Sequence, residues 1–248
     1  MRSKLTIVTI VVVLVLAALK VLHDFVRWLG VGPGLLLGFG LAAAALTVYR
    51  LAIQPWQHGW GATDEEVARS MPGDEIIPGA SSTTRAITIR ARPEQVWPWL
   101  VQIGFGRAGW YSYDWIDNDG HPSADEVLPE HQHLEVGDQL LMVPGMGPHV
   151  RAIDPHRFLL SGDEEGGTWC LGLYPDGELR IRLVSRWRVD WPFTPATAFW
   201  ILLSDPGAFI MERRMLLGIR KRAERAAAAE SKGRPDTVAL PDRPTRSV

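Results

Sequence analysis

The stretch Thr168-Trp-Cys-Leu-Gly-Leu-Tyr-Pro-Asp-Gly-Glu-Leu-Arg-Ile-Arg-Leu-Val-Ser-Arg-Trp-Arg-Val-Asp190 is the most regular in the chain. Residues 168–174 and 178–190 flank the turn tripeptide Pro175-Asp176-Gly177, and the second arm sets Leu179, Ile181, Leu183, Ser185 and Trp187 against Arg180, Arg182, Arg186 and Arg188. Successive side chains of a strand point to opposite faces, so a period of two predicts an antiparallel hairpin with one dry face and one wet, arginine-bearing face. Working backwards, residues 139–143, 150–153 and 158–161 are three further strand candidates, separated by Pro144-Gly145 and Asp154-Pro155. Residues 104–138 carry glycine, proline and aromatics without a period and read as loops and short helical pieces over the sheet. Before them, Val96, Trp97, Leu100, Val101 and Ile103 recur at helical spacing after Pro93, which suits a first helical turn. Residues 85–90 alternate Ile87 and Ile89 with Thr88 and Arg90, a strand, while residues 81–84 read as loop. Thr63 and Glu66 form a capping-box pair at the start of a short helix.

Forward of the hairpin, residues 205–230 predict one long helix, with Asp205 as cap, Pro206 at the first position, and Phe209, Glu212, Leu216, Ile219 and Ala223 in one stripe broadened by Met211, Met215 and Gly218. Residues 196–203 extend that helix or touch a membrane. Residues 231–248 have no apolar periodicity and read as a disordered tail. Strand, helix, antiparallel strands and a long final helix predict an α+β fold of helix-grip type over residues 60–230, in which a curved antiparallel sheet wraps around the last helix.

Composition excludes several function classes. With 26 basic and 28 acidic side chains there is no electrostatic field of the kind that attracts nucleic acid. Cys170 is the single cysteine, which removes intramolecular disulfides and cysteine-cluster metal sites. Eleven tryptophans stand against four tyrosines, and those at 97, 99, 110, 115, 169, 187 and 191 fall in the folded region as core or cavity wall.

Residues 5–22 and 35–53 are apolar runs broken only by Lys20 and Arg50. A helix of about 20 apolar residues crosses a bilayer. His23, Asp24, Arg27 and Gly32-Pro33-Gly34 supply a polar, turn-forming link, so residues 1–55 predict a hairpin of two transmembrane helices. A signal peptide is the rival, but no small-x-small cleavage site follows the first run. The hairpin places a multi-pass protein in the cell membrane with its soluble domain on the cytoplasmic side, the side of Arg2 and Lys4. Trp56 and Trp60 are candidate interfacial anchors.

The stretches Trp60-Gly-Ala-Thr-Asp-Glu-Glu-Val67, Gly104-Phe-Gly-Arg-Ala-Gly-Trp-Tyr-Ser-Tyr-Asp-Trp-Ile-Asp-Asn118 and Met211-Glu-Arg-Arg-Met-Leu-Leu-Gly-Ile219 resemble uncharacterised bacterial members of the SRPBCC superfamily, which includes START lipid-transfer domains, plant-allergen-like proteins and polyketide cyclases. The resemblance implies a helix-grip fold with an apolar cavity and no shared catalytic residues. Its members bind, carry or transform quite different molecules.

The motifs divide as follows. Gly104-Phe-Gly-Arg-Ala-Gly109 matches a dinucleotide-binding pattern but follows a helix, not a strand, so no cofactor is expected. Asp117, Asp119, Gly120 and Glu126 fit positions of a calcium loop whose first position would be Trp115, which leaves a turn; His131 and His133 would face one way only on extended backbone and lack a third ligand. No metal is expected. The loop Trp110-Tyr-Ser-Tyr-Asp-Trp115 offers pocket-forming aromatics with orienting polar groups. Candidate ligand-binding residues are Trp99, Trp110, Tyr113, Trp115, Trp169, Trp187, Phe209 and Met215. Tyr113, Asp114 and Glu212 are the acid–base candidates, Glu212 because it stands on the apolar stripe. Three readings follow: a membrane-anchored binding module for a hydrophobic small molecule or lipid, a cyclase- or dehydratase-like enzyme acting on such a ligand, and a non-catalytic partner of another membrane protein.

Overall fold

The computed structural model describes residues 2–192 and 194–233. Two helices, α1 (Arg2–Leu29) and α2 (Val31–Val48), lead through a π-helical turn (Tyr49–Ile53) into α3 (Gln54–His58). The link between α1 and α2 is Gly30 alone, whose φ of 86° few other residues adopt. Gly32, Pro33 and Gly34, expected in that link, instead form the first turn of α2, where Pro33 needs no hydrogen-bonded amide, and His23, Asp24 and Arg27 lie within α1. A Cβ on Gly34 would meet the Phe25 and Val26 backbone, and one on Gly38 the Leu22 side chain, so two glycines four apart let the helices approach closely. Among the described residues one helix, Val31–His58, is long and apolar enough to cross a membrane.

The remainder is α+β. After α4 (Asp64–Ala68), capped as expected by the reciprocal Thr63–Glu66 box, come β1 (Ser81–Ile89), α5 (Pro93–Val101), α6 (Asp114–Asp117), β2 (Val150–Asp154), β3 (Phe158–Asp163), β4 (Gly167–Pro175), β5 (Ile181–Val189) and α7 (Pro195–Gly233). The strands form one antiparallel sheet in the order β1-β5-β4-β3-β2. With the long last helix lying across its inner face, this is the helix-grip arrangement.

Several sequence expectations shift. Residues 81–84 are not loop but the first half of β1, because Ser81–Thr84 pair with residues 186–189 of β5. Residues 139–143 make only isolated bridges, at Gln139 and Val143, and no strand. Leu179, expected inward, precedes β5 and is 69% exposed. Asp205 caps nothing: α7 begins ten residues earlier and carries Pro206 in its interior. The tail expected over 231–248 is helical to Gly233 and otherwise lies outside the described residues.

The largest correction concerns the arginine face of β5. It is covered, not wet. Residues 59–80 lie across it: Arg182 binds Glu66, and Arg186, 4% exposed, binds Asp74 and the carbonyls of Glu66, Val67 and Arg69. Arg188 reaches Asp74 and the Ile77 carbonyl. Beneath these charges Met71, Ala86, Leu160, Cys170 and Val184 form a second, small core, where burial pushes the Cys170 thiol up to about 12.

The inner face grades along the strands. At one end Ile87, Ile89, Leu171, Leu173, Ile181 and Leu183 pack with α5 and with Leu216, Ile219 and Ala223 of α7. At the other end Thr83, Arg85, Trp169 and Trp187 stand with Asp205, Ala208, Met211 and Glu212 around a cavity.

Candidate functional site

The site grows from strand register. Thr83 pairs with Trp187 and Trp187 with Trp169, so one row across β1, β5 and β4 presents two indoles side by side. Their rings stack at 4.7 Å with planes 11° apart, and Trp110 from the loop after α5 lies against Trp169 at 5.7 Å. Two of these indoles are held by their N–H groups: Trp169 Nε1 donates to Ser185 Oγ (2.9 Å) and Trp110 Nε1 to the Leu141 carbonyl (3.2 Å). The rings are thereby fixed with their faces left apolar.

These rings form one wall of a cavity of about 630 Å³, closed on the far side by α7 through Met211, Glu212 and Met215, with Met142 and Trp191 completing it. That volume suits a drug-sized or lipid-chain ligand. The lining also includes Arg50 and Gln54, near the end of the apolar helix, and Thr197, Ile201, Ser204 and Asp205 from the first half of α7. Asp205 Oδ2 joins the two, accepting from Tyr49 OH (3.0 Å) and Gln54 Nε2 (2.9 Å) and contacting His58 Nε2 (2.8 Å). Burial alone would raise this carboxyl, but those partners, His58 foremost, hold it below its ordinary value.

Three charged groups stand deeper. Arg85, 2% exposed, forms an ion pair with Glu212 and donates from Nε to the Gln57 carbonyl (2.9 Å). Its guanidinium also lies 5.4 Å from the Phe209 ring, which Trp56 and Trp60 back edge-on. Glu212 Oε1, on the other side of that carboxylate, has no hydrogen-bond partner. Asp117 ends α6, is 5% exposed, lines the cavity, and accepts no hydrogen bond at either oxygen. Burial, with the Asp114 charge beside it, pushes the Asp117 carboxyl up to about 6; the Ser112 hydroxyl and the Tyr113 and Asp117 amides temper that rise without reaching hydrogen-bonding geometry.

Of the residues singled out in the sequence, Trp110, Trp169, Trp187, Met215 and Glu212 meet at the cavity. Others stand apart. Trp99 is buried against Tyr111 at 6.1 Å, and Trp115 is 52% exposed. Tyr113 and Phe209 line a smaller cleft of about 320 Å³ beside Arg213 and Arg214. Asp114 accepts from Ser123 Oγ and acts on the cavity only through its charge on Asp117. Arg85, Asp117 and Asp205 are the cavity residues that sequence reasoning missed. For Arg85 the signal was present: it shares the parity of Ile87 and Ile89, and its side chain follows theirs inward. His131 closes a 3₁₀ turn (Pro129–His131), not the extended backbone that would align it with His133. Gly104 and Gly109 close a tight loop on each other.

No known protein family matches the chain, and no curated protein matches it. Among solved structures, the chain is similar to KanY at 14% identity, over 59% of this chain and 99% of that one, with a TM-score of 0.40. It is also similar to a polyketide-cyclase-like protein from Corynebacterium glutamicum (18% identity, 63% and 95% covered, TM-score 0.28). A third is CalC, a self-sacrificing resistance protein from Micromonospora echinospora (10% identity, 60% and 97% covered, TM-score 0.34).

Proposed function

We propose that the protein is a membrane-anchored binding module that takes a hydrophobic small molecule or lipid into the cavity under α7. The observation that carries this reading is the cavity's lining. A tryptophan- and methionine-lined space has Arg50 and Gln54, from the end of an apolar helix, in its wall. Poorly soluble molecules concentrate in bilayers, so a cavity tethered there meets its ligand at high effective concentration. On the first half of α7, which also lines the cavity, Phe199, Trp200, Leu203 and Ile210 are exposed, apolar surface suited to a lipid boundary. In this reading residues 5–22 and 35–53 form the transmembrane hairpin and the sheet domain sits at the cytoplasmic surface.

The test is native mass spectrometry of the full chain in lipid nanodiscs, with solvent extraction of the purified protein. One co-purifying apolar molecule per chain is the expected result. A folded, empty protein that takes up none of a panel of lipids and polycyclic hydrocarbons overturns it. A second reading, an enzyme of the cyclase or dehydratase kind, draws on Asp117 and Glu212, two carboxyls in one apolar cavity, of which a raised Asp117 is protonated for part of the time near neutrality. Turnover would appear in the same spectra as a mass change of the bound molecule, lost in Asp117→Asn.

A further inference from the structure

We infer that the smaller cleft beside α7 is a second binding site, which takes the phosphate head group of an anionic membrane lipid between Arg213 and Arg214. The inference rests on the reading above in which residues 35–53 cross the membrane, and it adds a site outside the cavity. The cleft, of about 320 Å³, has Arg213 and Arg214 in its wall with Trp56, Tyr113, Phe209 and Leu217. Two cations thus share a lining that holds no carboxylate. Both side chains are exposed, and among the described residues neither arginine is ion-paired. Their contacts are with rings: the Arg213 guanidinium lies 5.0 Å from the Trp60 ring centroid and that of Arg214 5.8 Å from the Tyr113 centroid. Such contacts hold a guanidinium in place without neutralising it. The arginines of the folded interior differ, since Arg85, Arg182, Arg186 and Arg188 each meet a carboxylate.

Position along the helices selects the source of the anion. Asp205 of α7 is held by Tyr49, Gln54 and His58, at the end of the apolar helix Val31–His58. One turn on, Phe209 meets Trp56 and Trp60 at 5.3 and 6.3 Å, and a turn further Arg213 meets Trp60. Each of these turns of α7 therefore stands beside a later part of the apolar helix, farther along the way out of the bilayer. The exposed face of α7 changes character on that path: Phe199, Leu203 and Ile210 are apolar, whereas Arg213, Arg214 and Lys221 are basic. The two arginines thus sit where hydrocarbon gives way to phosphates, the level at which tryptophan also collects, and Trp56 is exposed there. A guanidinium fork matches two phosphate oxygens at once, and basic clusters next to a spanning helix attract anionic head groups. The exposed Trp56 and Ile210 at the same cleft suit the glycerol and upper acyl carbons of a lipid, which a free phosphate lacks.

The experiment is native mass spectrometry of the full chain in detergent, titrated with dihexanoyl phosphatidylglycerol, dihexanoyl phosphatidylcholine and inorganic phosphate. The glycerol lipid is expected to bind about tenfold more tightly than the choline lipid, and Arg213→Gln with Arg214→Gln to erase that preference. Arg151→Gln with Arg157→Gln removes equal charge from exposed positions on the β2–β3 hairpin, at the opposite edge of the sheet from β1, and is expected to keep it. Both double variants change exposed side chains, and thermal melts within about two degrees of the parent certify their folds. Equal binding of the two lipids, or a preference that survives Arg213→Gln with Arg214→Gln, overturns the inference. So does inorganic phosphate that displaces the glycerol lipid at matched concentration, which would make the cleft a site for a small anion. These outcomes leave the cavity reading standing, because its apolar ligand is read by solvent extraction of the same samples. Release of the chain from membranes by carbonate washing would overturn this inference together with the anchor on which it rests.

Discussion

A buried acid beside a second acid sets the behaviour of the molecule at the scale of single residues. Asp117 titrates at about 6 in the folded protein against an ordinary 3.8, with Asp114 on its own helix and Arg85, Asp205 and Glu212 in the wall of the same cavity. Between those values the folded state holds a proton that the unfolded chain has released. Stability is therefore expected to fall as pH rises from about 4 to about 6 and to stay at the lower level above. Two pKa units correspond to about 3 kcal/mol, which relaxation around the site reduces to roughly 1–2 kcal/mol. Asp117→Asn is expected to raise the Tm at pH 7.5 by a few degrees and to flatten the dependence over that window, as thermal melts from pH 4 to 8 will show. Arg85→Met acts in the opposite direction. It strands Glu212 without its counter-charge, and a loss of about 3–5 kcal/mol in urea unfolding is expected. A loss below about 1 kcal/mol would mean that Glu212 takes its charge compensation elsewhere. These three residues were unequally legible. Glu212 stood out on a helical stripe of apolar residues, and Arg85 sat on the parity of two isoleucines; Asp117 belongs to a four-residue helix, too short to show a period.

At the scale of elements, the period of β5 was readable and its environment was not. Alternation sorts side chains onto two faces but carries no statement about what covers either face. The cover over Arg182, Arg186 and Arg188 is residues 59–80, a segment with one short helix and several turns, distant in sequence and without apolar rhythm. Its attachment is electrostatic at Asp74, which serves both Arg186 and Arg188. Asp74→Ala leaves Arg186 buried with its carboxylate gone. A cost of about 2–4 kcal/mol is expected, together with faster proteolytic nicking of residues 59–80 under native conditions. Unchanged nicking would mean that the small apolar core under the segment holds it without the charges. The end of α7 was misjudged for a related reason. Pro206 suits a first helical turn, but the helix runs through it from Pro195, and Asp205, free of capping, becomes the acceptor that ties α7 to the helix ending at His58.

At the scale of the whole molecule, the α+β grip was legible because its order of elements is distinctive, whereas the cavity depends on which rows of the sheet stay unfilled, a property of packing between distant segments. The apolar runs are legible by length alone, and the structure adds a close helix pair with Gly34 and Gly38 at its contact. The proposed hairpin makes a definite topological prediction: Trp28, 79% exposed at the end of α1, and Ser70, exposed beyond α4, are expected on opposite sides of the bilayer. With buried Cys170 replaced by serine, maleimide labelling of Trp28→Cys and Ser70→Cys in sealed vesicles is expected to distinguish the two faces. Labelling of both from one face would rule out the hairpin.

The Trp169–Trp187 stack has one further consequence. Two indoles 4.7 Å apart and nearly parallel couple their electronic transitions, so their near-ultraviolet circular dichroism carries a paired signal that isolated tryptophans do not give. Anything that slides over or between those rings perturbs the coupling. The protein thus contains a chromophore at the wall of its own cavity, and its occupancy can be followed by light without attaching a dye.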